Sequence, residues 1–303
     1  MPPIRPHGTG IIDLPNQWRV AAIDQVAPMR LPTGALMCTP DHFDIIDVKN
    51  PHMAGNLGAI DRSRARRQWE SLGSAFGHAC LRVDVIPSIL GCEDMVFCAN
   101  PVFTGLDVDG HRVCVPARMR HDSRQRETPA LVAWFQNAGY SVHTVATSLF
   151  EGGGDAVWHP GRRLIWGGYG HRTDPAVYEE LGPIFQAPVI RLKLMSEHFY
   201  HLDTCLCAVD ENTALINPAS FDESGLGLIR SVFKRVIECP ADEAIGALAC
   251  NAVATASGAV ILPAGAPRTA GLLTKAGYSV IEVDTSEFQK SGGSCYCMKM
   301  WLW

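Results

Sequence analysis

The run Lys290-Ser291-Gly292-Gly293-Ser294-Cys295-Tyr296-Cys297-Met298-Lys299-Met300 carries a thiol four residues after a Gly-Gly pair. Glycines before an alternating apolar stretch allow tight backbone approach, which suits a turn presenting Cys297 at the mouth of a strand. A thiol attacks well only as thiolate, so a catalytic one needs a neighbouring His or positive charge. Cys295, two residues earlier, is an equal candidate by residue type. In Phe199-Tyr200-His201-Leu202-Asp203-Thr204-Cys205, a strand would put the His201 imidazole and the Asp203 carboxylate on one face. Glu151 precedes three glycines and Asp155, and no Gly-Lys-Ser/Thr follows, so a carboxylate site for a cation fits better than a phosphate loop. Cys205-x-Cys207 lacks the paired Cys-x-x-Cys spacing of zinc sites, so no metal is expected there. The set supplies a nucleophile, a general acid/base and carboxylates suited to a cationic ligand.

Such residues need elements to gather them. From Ala35 onward an amphipathic helix, a small-residue break and a β-rich strand recur: 64–76 then 80–86, 130–137 then 140–145, 176–185 then 189–194, 227–233 then 236–239, and 271–275 then 278–283. The string Ala-Gly-Tyr-Ser-Val occurs at both 138–142 and 276–280. After each strand comes one polar segment: Glu93-Asp94 to Asn100, Glu151 to Asp155, His201 to Asp203, Cys250-Asn251, and Gly292 to Cys297. Five units each delivering a cluster at the same stage predict an α/β propeller-like ring around one central site. A doubly wound parallel sheet is the competing arrangement, because helix–strand alternation is common to both. Residues 1–34 are proline-punctuated and weakly periodic. They read as an N-terminal extension laid on a single domain over 35–303.

Hydrophobic content of 47% and charged content of 19% over 303 residues describe a globular chain. A net charge of −5, with no Lys/Arg-rich block, argues against nucleic acid or an anionic membrane surface as partner. No apolar run approaches the roughly 20 residues that cross a bilayer. An odd eleven cysteines, without a disulfide framework or a secretory start, point to a reducing cytoplasm. Most of them read as small buried hydrophobes.

Several strings resemble the guanidino-group-modifying enzymes (dimethylargininases, arginine deiminases and amidinotransferases), and among them the cyanobacterial type of arginine dihydrolase domain most. They are Met37-Cys38-Thr39-Pro40-Asp41-His42-Phe43-Asp44, Asp94-Met95-Val96-Phe97-Cys98-Ala99-Asn100, Glu151-Gly152-Gly153-Gly154-Asp155-Ala156, Gly168-Tyr169-Gly170-His171-Arg172-Thr173, the His201 run, Ala249-Cys250-Asn251-Ala252-Val253 and the Cys297 run. They cover about residues 35 to 302.

The resemblance implies a five-bladed ββαβ propeller, or pentein. It makes Cys297 rather than Cys295 the nucleophile and His201 the general acid/base. Glu151 and Asp203 become guanidinium-binding carboxylates, and Asp94 supports the substrate. Arg118 and Arg172 would hold the substrate α-carboxylate, a task suited to bidentate guanidinium. It implies a small guanidino substrate, no cofactor, and room for assembly as a homo-oligomer.

Asn100 stands where deiminases and dimethylargininases commonly carry Asp, and an amide can donate to the oxygen of a ureido intermediate. That implies arginine dihydrolase activity, giving ornithine, carbon dioxide and ammonia. The alternatives are citrulline-forming deiminase or dimethylargininase, amidinotransferase, and a non-catalytic binding propeller. The chain departs from the family's Cys-Leu-Thr-Leu after the nucleophile, reading Cys297-Met298-Lys299-Met300.

Overall fold

A computed structural model describes residues 10–18, 23–147 and 149–303. The first nine residues of the expected N-terminal extension, and 19–22 within it, lie outside the described residues. Five helices match the expected rhythm: Arg62–His78, Thr128–Asn137, Val177–Phe185, Glu223–Val232 and Pro267–Lys275. Side-chain caps start two of them. The Asp61 carboxylate accepts from the Arg64 amide and that of Asp222 from the Gly225 amide, each satisfying an otherwise unpaired first-turn N–H. Ala65, Gln68, Leu72, Ala75 and Phe76 then form the buried stripe of the first helix, at spacings of three and four.

The strands, in chain order, are β1 Ile11–Ile12, β2 Gly34–Cys38, β3 Arg82–Ile86, β4 Val102–Leu106, β5 Arg112–Pro116, β6 Ser141–Val142, β7 Ala156–Trp158 and β8 Ile165–Tyr169. They continue as β9 Val189–Lys193, β10 Leu206–Ala208, β11 Thr213–Ile216, β12 Arg235–Glu238, β13 Val253–Ala254, β14 Ala259–Pro263, β15 Ser279–Val283 and β16 Met300–Leu302. They form five separate mixed sheets, ordered β16-β2-β3, β4-β5-β6, β1-β9-β8-β7, β10-β11-β12 and β13-β14-β15.

Each sheet repeats one plan. The central strand pairs antiparallel with one neighbour and parallel with the strand that follows a helix, as a parallel pair needs a long crossover. Central strands such as β2, β11 and β14 are buried throughout, whereas β3, β12 and β15 are partly exposed to solvent. The doubly wound parallel sheet is therefore excluded, and five units are present.

The first sheet is completed by the chain's end. Met300, Trp301 and Leu302 of β16 lie opposite Leu36, Ala35 and Gly34 of β2. The segment before β2 adds β1 alongside β9, and Asp13 accepts from Arg191 at 2.8 and 2.7 Å. Trp18, Ile23 and Val26 enter the core cluster built on Trp166, Leu192 and Leu228.

One local expectation is corrected. His201 and Asp203 flank Leu202 in a 3-10 turn, Leu202–Thr204, and do not share a strand face. Cys297 lies, as expected, in a turn ahead of a strand, which begins at Met300. Among the described residues, no helix is long and apolar enough to cross a membrane.

Candidate active site

The polar clusters that follow the five helix–strand units are joined by hydrogen bonds into one buried network. The Cys297 thiol lies 3.1 Å from Asp203 Oδ2. Asn251 fixes both: its Nδ2 donates to Cys297 Sγ at 3.1 Å and to the Asp203 carbonyl at 2.9 Å. Asn251 Oδ1 accepts the backbone N–H groups of Ser294, Tyr296 and Cys297 at 3.0, 3.1 and 3.2 Å, wrapping the turn around one amide. His201 Nε2 is 2.6 Å from Glu151 Oε2, and its Nδ1 is 3.4 Å from Asn100 Nδ2. Arg172 Nη1 reaches the same Glu151 oxygen at 3.2 Å, and its guanidinium lies over the Tyr200 ring at 4.7 Å. Ser291 Oγ contacts Asp94 Oδ1 at 3.4 Å.

The glycines after Glu151 serve close approach. At Gly152, where φ is +49°, a Cβ would fall 2.3 Å from the carbonyl oxygens of Asn100 and Val102. At Gly154 it would fall 2.2 Å from Asn100 Nδ2 and 3.2 Å from the His201 ring. No side chain fits at either position, so the run brings the Glu151 turn against the Asn100 loop.

Burial and charge set the protonation states. Burial alone would raise Glu151, but the His201 hydrogen bond and the Arg172 charge hold it well below the usual carboxylate range. Burial lowers His201 to about 4 against the pull of Glu151, so the imidazole is neutral at pH 7. The network then fixes the tautomer, with Nε2–H donating to Glu151 and Nδ1 accepting from Asn100. Burial raises Asp203 to about 7 and pushes the Cys297 thiol up, with Asp203 adding to the latter. Without a bound cation the resting thiol is protonated.

The structure gathers Cys297, His201, Glu151, Asp203, Asn100, Asp94 and Arg172, but not Arg118. That side chain is exposed and donates to the Ala146 carbonyl at 3.1 Å, because Met119 takes the inward position beside it. Arg120 is the residue that reaches the site. Its backbone N–H donates to Glu151 Oε1 at 2.9 Å, and its guanidinium donates to the His171 carbonyl at 2.8 Å, next to Arg172.

Further participants escaped the sequence reading. Arg124 Nη1 donates to Asn100 Oδ1 at 3.1 Å, which turns the amide so that its NH2 faces His201. Arg124 is itself held by Glu127 through two bonds of 2.9 Å, an i,i+3 pair visible in the sequence. Lys49 bridges Glu93 and Asp94, each at 3.0 Å. In the sequence Asn251 reads only as a polar residue after a strand.

The cavity lined by Lys49, Asp94, Asn100, Arg172, Tyr200 and Cys297 measures about 20 Å³, room for about one water. A larger cavity of about 300 Å³ lies between Met29–Pro32, Trp158, Tyr278, Trp301 and Trp303, and contains none of the clustered groups. The described residues hold one grouping of metal-ligand type, Asp107, Asp109 and His111, at the β4–β5 turn and outside this site.

Comparison with known proteins agrees with the geometry. A family model for N,N dimethylarginine dimethylhydrolase, eukaryotic, matches residues 46–302. The chain is 37% identical over 269 residues to the bifunctional arginine dihydrolase/ornithine cyclodeaminase AgrE of Nostoc, covering 88% of this chain but 37% of that protein. It is 33% identical over 261 residues to the N(G),N(G)-dimethylarginine dimethylaminohydrolase of Mycobacterium tuberculosis, covering 86% and 83%. Among solved structures, the N-terminal domain of ArgZ, a cyanobacterial arginine dihydrolase, superposes in its substrate-bound Cys-to-Ser form with a TM-score of 0.83. It is 32% identical, and the match covers 88% of this chain and 97% of that one. The matched region holds every residue of the network from Lys49 to Cys297, and the chain belongs to the N,N-dimethylarginine dimethylhydrolase family.

Proposed function

We propose that the protein is a cysteine-dependent hydrolase of the guanidino group of arginine, and that it carries arginine through to ornithine, carbon dioxide and two ammonia molecules. The five sheets are read as blades of one closed ring, with the network at its centre. The guanidinium lies against Asp203 and Glu151, whose carboxylates grip its N–H groups and keep its carbon electrophilic. Asp94 supports the substrate, and Arg172 with Arg120 receives the α-carboxylate. A substrate of this size needs more room than the present cavity of about 20 Å³.

Arrival of the cation offsets the carboxylates that hold the Cys297 thiol protonated, so the thiolate forms as substrate binds and the thiol proton passes to the neutral His201 imidazole. The sulfur attacks the guanidinium carbon, forming a C–S bond. His201 delivers a proton to the leaving nitrogen, the C–N bond breaks, and ammonia departs from an amidino-thioether. His201 then takes a proton from water, whose oxygen bonds to that carbon as the C–S bond breaks and a ureido group results. A second round on the ureido carbon and loss of carbon dioxide complete arginine plus two water giving ornithine, carbon dioxide and two ammonia.

The observation that carries the second round is the amide of Asn100. Arg124 occupies its oxygen, so its NH2 faces the site, where it can donate to a ureido oxygen that an Asp would repel. Relatedness to dihydrolases supports the same reading. A second reading, hydrolysis of methylated arginine to citrulline, is favoured by the match to the dimethylhydrolase model.

Incubation with L-arginine and with asymmetric dimethylarginine, followed by chromatography of products, separates the readings. Ornithine with about two ammonia per arginine is expected. Accumulation of citrulline without ornithine overturns the second hydrolysis, and turnover of the methylated substrate alone makes the protein a dimethylargininase. Cys297→Ser is expected to abolish turnover while Cys295→Ser retains it.

A further inference from the structure

Arg124 stands on the short helix Asp122–Gln125 and is 5% exposed. Its Nε and Nη2 donate to Glu127 Oε1 and Oε2, each at 2.9 Å, a bidentate pair that fixes the plane of the guanidinium fork. Nη2 also meets the carbonyls of Asp94 and Phe97 at 3.3 and 3.1 Å, and so holds the loop that carries Asn100. Nη1 donates to Asn100 Oδ1 at 3.1 Å, and among the described residues that is the one hydrogen bond to this oxygen. Arg124 and Asn100 line the same cavity as Cys297.

An amide has an acceptor oxygen at one end and two N–H donors at the other, and a half-turn about its last bond exchanges them. His201 Nδ1 favours the NH2 on its side, but at 3.4 Å that contact is long. The hollow at Gly154, where a Cβ would fall 2.2 Å from Asn100 Nδ2, admits an oxygen as readily as an NH2. The orientation therefore rests on Arg124, which offers only donors and cannot accept from an NH2. The two hydrolyses respond to that orientation in opposite ways. A guanidinium only donates, so the first round would tolerate an oxygen turned inward. A ureido group carries an oxygen that needs a donor, so the second round would not.

We propose that Arg124, locked by Glu127, is the positioning residue that decides which product leaves. By holding the Asn100 amide with its NH2 inward it retains the ureido intermediate for the second hydrolysis, and without it the enzyme releases citrulline. Arg124 acts through Asn100, since its fork is turned onto Glu127, the loop carbonyls and the amide oxygen. A lysine could not do all of this, because a single ammonium cannot grip Glu127 in plane and reach the amide together. The inference rests on the two-round reading of the site and names the residue on which the number of rounds turns.

Turnover of L-arginine with ornithine and citrulline quantified together reads the partition directly. The wild-type protein is expected to release ornithine with little citrulline. Arg124→Met is expected to raise the citrulline-to-ornithine ratio at least about tenfold, as loss of a hydrogen bond from a charged donor would. A residue that only supported the fold would lower both products alike and leave the ratio unmoved. Arg124→Lys, which keeps a donor, is expected to bring the ratio part of the way back. Arg124→Met strands Glu127 in the interior, so Arg124→Met combined with Glu127→Leu, which removes the buried pair together, gives the same reading if the single variant does not fold. A wild-type ratio in the folded variants, or folded variants that release neither product, overturns the role of Arg124. Citrulline alone from the wild-type protein would instead overturn the second hydrolysis, so the two failures are distinct.

Discussion

Asp203 illustrates how burial trades stability for chemistry at a single residue. Among the described residues its Oδ1 has no hydrogen-bond partner, and its Oδ2 faces the Cys297 thiol. Burial lifts the carboxyl from its ordinary 3.8 to about 7. A folded-state pKa above the unfolded one means that the stabilising contribution is complete below 3.8 and is lost as pH rises through 7. Asp203→Asn removes that slope. The variant is expected to resist denaturant better than the wild type at pH 8.5, with the difference fading by pH 4, while losing arginine turnover because a guanidinium finds no carboxylate. Urea titrations at the two pH values check the sign. The residue types at this site were legible in the sequence, because Cys, His and carboxylates in irregular polar strings are uncommon without a task. Which of Cys295 and Cys297 faces His201's cluster was not legible from type or spacing. Asn251 decides that geometrically, by bonding the Cys297 sulfur and three amides of its turn.

At the scale of elements, the turn Glu151–Asp155 is the narrowest fit in the molecule. Its backbone passes so near the Asn100 loop that a methyl group at 152 would overlap two carbonyl oxygens, and the positive φ there already disfavours any side chain. Gly152→Ala is therefore expected to cost at least about 3 kcal/mol and to displace Glu151 from His201. A lowered melting temperature and loss of turnover, with no rescue by higher substrate concentration, check it. The helix–strand rhythm was readable because amphipathic spacing and β-rich runs are local properties. The 3-10 turn at 202–204 reads as strand in the sequence, since alternating apolar residues look alike in both. What separates them is Asp155, which takes the Leu202 amide at 3.1 Å. In the Cys297 turn, Asn251 likewise takes three amides that a strand would have paired elsewhere.

Over the whole molecule, the first and last parts of the chain meet. β16 supplies the antiparallel neighbour of β2, Thr104 Oγ1 donates to the Trp301 carbonyl at 2.9 Å, and the Trp303 amide donates to the Tyr140 hydroxyl at 2.8 Å. Because β16 follows the Cys297 turn directly, closing this sheet also fixes the thiol. Leu302→Ala, far from substrate, is expected to reduce stability by about 2–5 kcal/mol as a large-to-small change at a fully buried site. Its kcat loss should be modest where the protein remains folded, and guanidinium denaturation with parallel rate assays checks both.

The sequence by itself determined the inventory: five helix–strand units, one polar cluster after each, and a thiol, an imidazole and carboxylates among them. Those follow from periodicity and side-chain chemistry, which act over a few residues. Only the tertiary structure decided that Arg120 rather than Arg118 reaches the His171 carbonyl beside Arg172, that Arg124 turns the Asn100 amide toward His201, and that Lys299 is buried against the rings of Tyr296 and Trp301. Each depends on which groups from distant parts of the chain converge and on which of them lose water, and both are properties of packing rather than of order along the chain.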